Sequence, residues 1–124
     1  MELSDFELEV MHILWRAGES SAPQVHKAIE QKREVAYTTV KTIIDRLEKK
    51  GALERTRQEG RTIFFTATIE KSQYRKPIIR DFINRVFLGN SKPLVAHILE
   101  EEELSKDDIQ YLEALLKEKK KELK

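Results

Sequence analysis

The sequence contains no cysteine, which excludes disulfide bonds, thiolate-ligated metal ions and switches that act by cysteine oxidation. It has only four glycines, and none of them lies in a phosphate-cradling loop. No serine stands in the sequence context of a hydrolase nucleophile, and the three histidines lack the helical spacing of a metal-binding pair. We therefore expect a protein that is not an enzyme and that holds no cofactor or metal ion.

Long apolar runs are also missing from the sequence. A helix that spans a bilayer needs about 20 consecutive, mostly apolar residues, and the apolar runs here are far shorter. The first residues are acidic and lack the apolar core of a secretion signal. We therefore expect a cytoplasmic protein with no membrane insertion, and 124 residues suit one small domain with an appended segment.

The chain has little net charge, but its charges are distributed unevenly along the sequence. Charged residues make up 36% of the chain, yet the formal net charge is only +1. Basic side chains outnumber acidic ones in residues 33–92, whereas acidic side chains prevail in residues 1–32 and 93–124. A local basic surface on a nearly neutral protein is typical of a polyanion-binding protein, although a solvated surface has the same pattern.

Three short helices are predicted in the first half of the chain. Capping-box patterns start two of them, at Ser4 and at Ser21. The third covers about residues 38–50, and Gly51 ends it. We interpret Trp15, the only tryptophan, as a core anchor against this third helix. The apolar residues of the third helix recur at helical spacing and are Val40, Ile43, Ile44 and Leu47.

The sequence then changes its period. Residues 52–57 and 61–67 are rich in Thr, Ile and Phe and flank a glycine-containing turn, which predicts a β-hairpin. A hairpin after a three-helix unit is the wing of a winged helix-turn-helix, and this wing would carry Arg57 and Arg61 at its tip. We therefore predict a mainly α fold with a small β-hairpin, in which residues 1–68 form a winged-helix DNA-binding domain.

Residues 69–124 are predicted to form a helical dimerisation region. Three short helices bury too little surface to be stable alone, so two copies of the chain would interlock them. Pro77 either kinks the first of these helices or starts it. The apolar residues assigned to the dimer contact are Ile79, Phe82, Ile83, Val86, Phe87, Leu94, Val95, Ile98, Leu99, Ile109, Leu112, Leu115 and Leu116.

The solvent side of the third helix suits a DNA major groove. Its first turns carry short threonines, whose hydroxyls bond phosphate or base and whose methyls contact thymine. Lys41 and Arg46 would reach base edges or phosphate, and the other basic and aromatic candidates would hold the phosphate backbone. The predicted DNA-binding residues are Tyr37, Thr38, Thr39, Lys41, Thr42, Arg46, Lys50, Arg57 and Arg61.

Four blocks of the sequence together resemble the BlaI/MecI/CopY family of bacterial repressors. In chain order they are LSDFELEVMHILW, AYTTVKTIIDRLEKKGALERTRQEGRTIFFTA, INRVFLGN and LVAHILEEEELSKDDIQYLEALL. The resemblance implies a dimeric winged-helix repressor that binds an inverted repeat in a promoter through its third helix and wing. It places the family's DNA-contacting positions on Thr38, Thr39, Lys41, Thr42, Arg46 and Arg61.

Two departures from the family pattern concern the inducing signal. The copper-responsive branch carries a C-terminal cysteine motif, and this chain has no cysteine. The β-lactam-responsive branch is cleaved at an Asn-Phe bond, and the matching bond here is His97-Ile98. A membrane metalloprotease sensor pathway is the partner that such cleavage implies.

The predicted function is therefore that of a transcriptional repressor that binds double-stranded operator DNA as a homodimer. Two alternatives stay open at this point. One is a MarR-type regulator with a small-molecule pocket between the dimerisation helices, lined by Tyr74, Phe82 or Phe87. The other is a winged helix that serves as a protein–protein module.

Overall fold

The computed structural model describes residues 1–123, which form six helices and one three-stranded antiparallel sheet. The predicted fold class, mainly α with a small β-hairpin, is confirmed. In chain order the elements are α1 (Asp5–Ala17), β1 (Ser20–Ser21), α2 (Ala22–Glu30), α3 (Tyr37–Lys50), β2 (Leu53–Glu59), β3 (Thr62–Ala67), α4 (Lys71–Phe87), α5 (Lys92–Glu101) and α6 (Lys106–Glu122).

Both predicted capping boxes are present and fix where α1 and α2 begin. The Ser4 hydroxyl accepts from the backbone N–H of Glu7 at 3.2 Å, and the Glu7 carboxylate accepts from the backbone N–H of Ser4 at 2.8 Å. Ser21 and Gln24 make the same reciprocal pair at the start of α2. Each box satisfies backbone donors that a helix start otherwise leaves without partners.

Helix α3 begins at Tyr37, one position earlier than predicted, and its N-cap residue Ala36 makes no side-chain cap. It ends at Gly51, whose φ of 79° is a left-handed conformation that a glycine adopts without steric cost. The four apolar residues that the spacing assigned to its inner side, Val40, Ile43, Ile44 and Leu47, are all buried. The helix therefore has one face in the core and one face in solvent.

The predicted hairpin is formed by β2 and β3. Leu53 lies opposite Ala67 at its base, and a register shift between Arg55 and Arg57 interrupts the pairing. The two-residue strand β1 pairs with the other edge of β3, with Ser20 opposite Phe65. The sequence did not predict β1, because two serines carry no strand periodicity.

The core of the winged-helix part is a single cluster in which all three helices meet the sheet. Phe65 of β3 is among its largest fully buried side chains. Burial on this side fixes the orientation of α3, since rotating the helix would expose its apolar face. The buried members of the cluster are Val10, Met11, Ile13, Leu14, Ala22, Val25, Ile29, Val40, Ile43, Ile44, Leu47, Ala52, Leu53 and Phe65.

Trp15 is only half-buried and packs at the edge of this core. Its indole Nε1–H donates to the carbonyl oxygen of Ile69 at 2.9 Å, and its ring lies 6.0 Å from that of Tyr74. Trp15 thus packs against the core cluster, which includes residues of the third helix, and it also anchors the segment that leads into α4. The hydrogen bond to Ile69 satisfies the indole N–H, which needs an acceptor when it is partly buried.

Internal contacts divide the chain into two compact units, residues 1–78 and the residues from Ile79 onward. Pro77 lies inside α4, well beyond its first turn, so of the two alternatives it does not start the helix. Among the described residues of the second unit, none is buried. The domain boundary after residue 68 stays a prediction. Within residues 1–123, no helix has the length and apolar character needed to cross a membrane.

Candidate nucleic-acid interface

The exposed face of α3 carries most of the predicted DNA-binding residues. Because the opposite face is packed in the core, these side chains share one solvent-facing surface, which we call the α3 face. Its members are Tyr37, Thr38, Thr39, Lys41, Thr42 and Arg46, of which all but the half-buried Lys41 are exposed. The structure therefore places the six predicted residues of α3 on one surface, as their spacing along the helix predicts.

Two polar side chains of the α3 face already have partners within the helix. The Lys41 ammonium lies 2.8 Å from Oδ1 of Asp45, one turn further on, and 6.0 Å from the centre of the Phe65 ring. The Thr42 hydroxyl donates to the carbonyl oxygen of Thr38 at 2.9 Å, which leaves its lone pairs and its methyl group available. DNA contact by Lys41 would therefore compete with an acidic neighbour.

The turn before α3 is held by His26 of α2. Its Nε2 lies 2.7 Å from the carbonyl oxygen of Val35, and its ring meets that of Tyr37 edge-on at 5.6 Å between centres. Glu30 stands 3.6 Å from the same nitrogen. These contacts tie the middle of α2 to the first residue of α3, so His26 positions the start of α3.

The two wing arginines occupy different environments. Arg61 lies in the turn of the hairpin, is exposed, and makes no ion pair within residues 1–123. Arg57 lies further back on β2, not at the tip as expected. Its Nε donates to Oε1 of Glu19 at 2.6 Å, and its guanidinium stacks 3.8 Å above the ring of Phe64. A second ion pair joins it to Glu59.

The Arg57–Glu19 pair connects the wing to the loop that follows α1. Hydrogen bonds from Thr56 and Arg57 hold the pKa of the Glu19 carboxyl below its ordinary value, so it is ionised at neutral pH. The same hydrogen bond to Glu19 raises the pKa of Arg57. The pair fixes the position of Arg57 but places a negative charge beside a predicted phosphate contact.

Lys50, another predicted phosphate contact, is directed toward the protein. Its Nζ donates to Oε1 of Glu7 at 2.7 Å and to the backbone oxygen of Glu2 at 3.0 Å. The Glu7 side chain is only 4% exposed, against 40% for that of Lys50. Burial by itself raises the pKa of the Glu7 carboxyl, yet hydrogen bonds from Lys50 and Ser4 bring the pKa below its usual value. Lys50 thus joins the end of α3 to the start of α1.

Sequence reasoning missed these pairings for a physical reason. The i, i+4 spacing of Lys41 and Asp45 was a visible signal. The pairs Lys50–Glu7 and Arg57–Glu19, in contrast, join residues that are distant in the chain. Reasoning from charge also left out Lys49, which is exposed and forms no ion pair in the part of the chain that the structure describes. Its position in the last turn of α3 was the available signal.

The predicted dimer-contact residues are largely exposed to solvent. Phe82 and Phe87 pack edge-on, with 5.8 Å between ring centres, whereas most of the others project from α4, α5 and α6 without burial. The members at least two-fifths exposed are Ile79, Phe82, Val86, Val95, Ile98, Leu99, Ile109, Leu115 and Leu116. So many exposed apolar side chains on these helices favour an interaction surface.

The bond His97-Ile98 lies within α5, between its ends at Lys92 and Glu101. Its backbone is therefore helical. None of residues 79–123, which include this bond, is buried.

Known proteins of similar sequence match nearly the whole chain. The family profile described as "Penicillinase repressor" matches residues 3–118. A penicillinase repressor of Bacillus licheniformis is 34% identical over 119 residues, covering 96% of this chain and 92% of its own. The methicillin resistance regulatory protein MecI of Mammaliicoccus sciuri is 33% identical over 118 residues, 95% of both chains.

One solved structure of a relative has a similar fold and contains DNA. The solution structure of monomeric Bacillus licheniformis BlaI in complex with the blaP half-operator is 34% identical and has a TM-score of 0.52. The likeness covers 61% of this chain and 92% of that one.

The Lys50–Glu7 contact generates a prediction about stability. Replacing Lys50 by Met leaves the buried Glu7 carboxylate without its cation, so we expect the free energy of unfolding at pH 7 to fall by about 1–2 kcal/mol. Because the folded pKa of Glu7 is lowered, its contribution is present above the ordinary value of 4.5 and is lost as the pH falls through the folded value. The penalty of Lys50→Met should therefore shrink on acidification, as measured by urea denaturation at several pH values.

The neighbouring variant Lys49→Met is the matched control, since Lys49 is exposed and lies in the same helical turn. It should change the free energy of unfolding little. Equal losses for both lysines, or a penalty for Lys50→Met that does not depend on pH, would contradict the structural role given to Lys50.

Proposed function

The chain belongs to the penicillinase repressor family, and from that premise we propose that it is a transcriptional repressor that binds promoter DNA as a homodimer. Members of this family are transcriptional repressors, not enzymes. Each copy would place α3 in one major groove of an inverted-repeat operator. Repression would follow from occupation of the promoter, and the protein would act in the cytoplasm, where the chromosome lies.

The observation that carries the proposal is the α3 face. It presents short hydroxyl side chains together with the cations Lys41 and Arg46 on the solvent side of a helix whose other side is buried. Threonines at the start of the helix permit close approach to the base edges. Arg46, one helical turn after Thr42, is exposed and makes no ion pair within residues 1–123. We assign it to base or phosphate contact, and we assign the same role to Lys41 after its exchange of Asp45 for DNA.

The wing supplies contacts to the phosphate backbone. Arg61 in the hairpin turn is the cation best placed for this, because it is exposed and its charge is not offset by a carboxylate in the described structure. Arg57 would contribute after it exchanges Glu19 and Glu59 for phosphate. Such contacts fix the register of the protein on the duplex and make affinity fall with salt concentration. The relative bound to the blaP half-operator supports DNA as the partner.

The second unit supports dimerisation. Its helices expose apolar side chains that they do not cover among themselves. A second copy of the chain offers the same surface, and a two-fold axis pairs the two copies without leaving an open end. The two α3 helices would then bind half-sites about one helical turn apart, roughly 34–36 Å.

The first prediction of this proposal concerns Arg46. We expect Arg46→Ala to weaken binding to a specific duplex by about 1–3 kcal/mol if it contacts a base, or to reduce the salt dependence by about one charge if it contacts phosphate. The duplex is one recovered from a randomised pool by the wild-type protein, and binding is measured by fluorescence anisotropy at several salt concentrations.

Arg80→Ala is the control, because Arg80 is an exposed arginine of α4 that lies outside both the α3 face and the wing. It should bind as the wild type does. Failure to recover any sequence from the pool, even in dilute buffer, would overturn the proposal of operator binding.

The second prediction concerns Glu19. Replacing Glu19 by Gln removes one of the two carboxylates that pair with Arg57 and leaves only the exposed Glu59. Arg57 is then held less tightly, so affinity for the selected duplex should rise about two- to fivefold. Glu113→Gln makes the same change in net charge on α6 and should raise affinity much less. An equal rise in both variants would mean that net charge, not the Arg57–Glu19 pair, controls binding.

The third prediction concerns the dimer. The side chains of Val95 and Leu99 are 53% and 51% exposed on one side of α5. Replacing both by Glu places charge in the proposed contact, so sedimentation equilibrium should find monomers where the wild type is dimeric. Ala96→Glu changes the same helix outside the apolar set and should leave the dimer intact. A wild type that stays monomeric at micromolar concentration would contradict the proposal.

A further inference from the structure

A half-open groove lies within residues 1–78, between the outer side of α1, the end of α2 and the start of α4. It has a volume of about 800 Å³, within the range of about 300–1,000 Å³ typical of small-molecule sites. None of the residues proposed to contact DNA or a second copy of the chain lines it. Neither proposed contact therefore accounts for the groove.

The wall of the groove is aromatic and fixed in place. Trp15 lines it, and the hydrogen bond from its indole to Ile69 holds the ring in one orientation. The ring of His12 meets the indole edge-on, with 5.4 Å between centres, and Tyr74 packs against it at 6.0 Å. Ile13 and Ala28 add apolar surface. An ordered aromatic wall next to aliphatic side chains suits a flat, apolar ring.

The rim of the groove is cationic. Arg16, Lys32 and Lys71 line it, and Arg75 follows Lys71 by one turn of α4. Within residues 1–123, none of these four cations lies within 4.0 Å of a carboxylate oxygen. In contrast, Arg57 and Lys50 of the candidate interface are each neutralised by a glutamate. Unpaired cations around a concave apolar surface favour an anionic ligand.

Three carboxylates also line the groove, the same number as its lining cations, and Arg75 adds a fourth cation at the rim. Glu9 is held by Arg33, at 2.7 Å between Oε1 and Nη2, while Asp5 and Glu70 are further acidic neighbours. At His12 the positive charges dominate. Burial lowers the pKa of the His12 imidazole, and so do Lys71, Arg75, Arg16 and Lys32.

We propose that this groove binds a small aromatic carboxylate, with the carboxylate between Arg16 and Lys71 and the ring against Trp15 and His12. The site is separate from the pocket between dimerisation helices that a MarR-type regulator would use. It does not depend on the proposed DNA binding, and it can be measured on the free protein. An aryl anion satisfies both halves of the groove, whereas a neutral ring leaves the cations unpaired.

The test compares two ligands of the same shape. The probes are 2-naphthoate and its neutral analogue 2-naphthamide, titrated into the full chain without DNA. Binding is followed by the Trp15 indole N–H signal and the His12 ring signals in NMR spectra. We expect 2-naphthoate to shift both sets of signals and to raise the pKa of His12, with 2-naphthamide binding about tenfold more weakly.

Paired variants connect the affinity to the rim. Arg16→Gln combined with Lys71→Gln should weaken 2-naphthoate binding at least about fivefold and leave 2-naphthamide binding unchanged. Lys92→Gln combined with Lys106→Gln removes two lysines from the second unit and should change neither. Retention of the far-ultraviolet circular dichroism spectrum confirms that each variant is folded.

Three results would overturn the proposal. In the first, equal affinity for the two probes would mean that the cations play no part. Shifts confined to residues 79–123 would place binding on the exposed apolar helices instead. Finally, the Trp15 indole signal could stay unchanged with both probes and shift when the protein is diluted. That result would mean that a second copy of the chain fills the groove. Loss of DNA binding in the variants of the α3 face affects none of these readouts.

Discussion

The packing of one face of α3 against the core is the constraint on which the other features depend. Val40, Ile43, Ile44 and Leu47 fix the rotation of the helix, because any other orientation exposes their apolar surface to water. The threonines and Arg46 are thereby committed to solvent on the opposite side. The capping boxes of α1 and α2 hold the two helices that form the other walls of this core.

A second feature of the winged-helix part is that several of its cations are already paired. Lys41, Lys50 and Arg57 each bind a carboxylate of the same chain, whereas Arg46 and Arg61 bind none within residues 1–123. The paired cations maintain the shape of the unit and set the cost of exchanging a protein carboxylate for a phosphate. The unpaired ones, Arg46 and Arg61, would contact a polyanion without first giving up a carboxylate.

The sequence predicted the elements whose signals are local. Periodicity located the buried side of α3, the capping boxes marked the starts of α1 and α2, and β-branched residues around a glycine turn indicated the hairpin. It did not predict β1, because two residues have no period. The long-range partners of Trp15, Lys50 and Arg57 could not be predicted either, since they lie 38 to 54 residues away in the chain.

The sequence by itself determined which faces of the helices are apolar and which side chains are available on α3, because both follow from residue type and helical spacing. Only the tertiary structure decided which cations are neutralised and which line an open groove. It alone placed Arg16, Lys32 and Lys71 around Trp15, since the closure of α1, α2 and the start of α4 on one another creates that proximity. Spacing in the sequence indicates charge pairs within one helix, such as Lys41 with Asp45, but the distances between charges on different elements are set by packing.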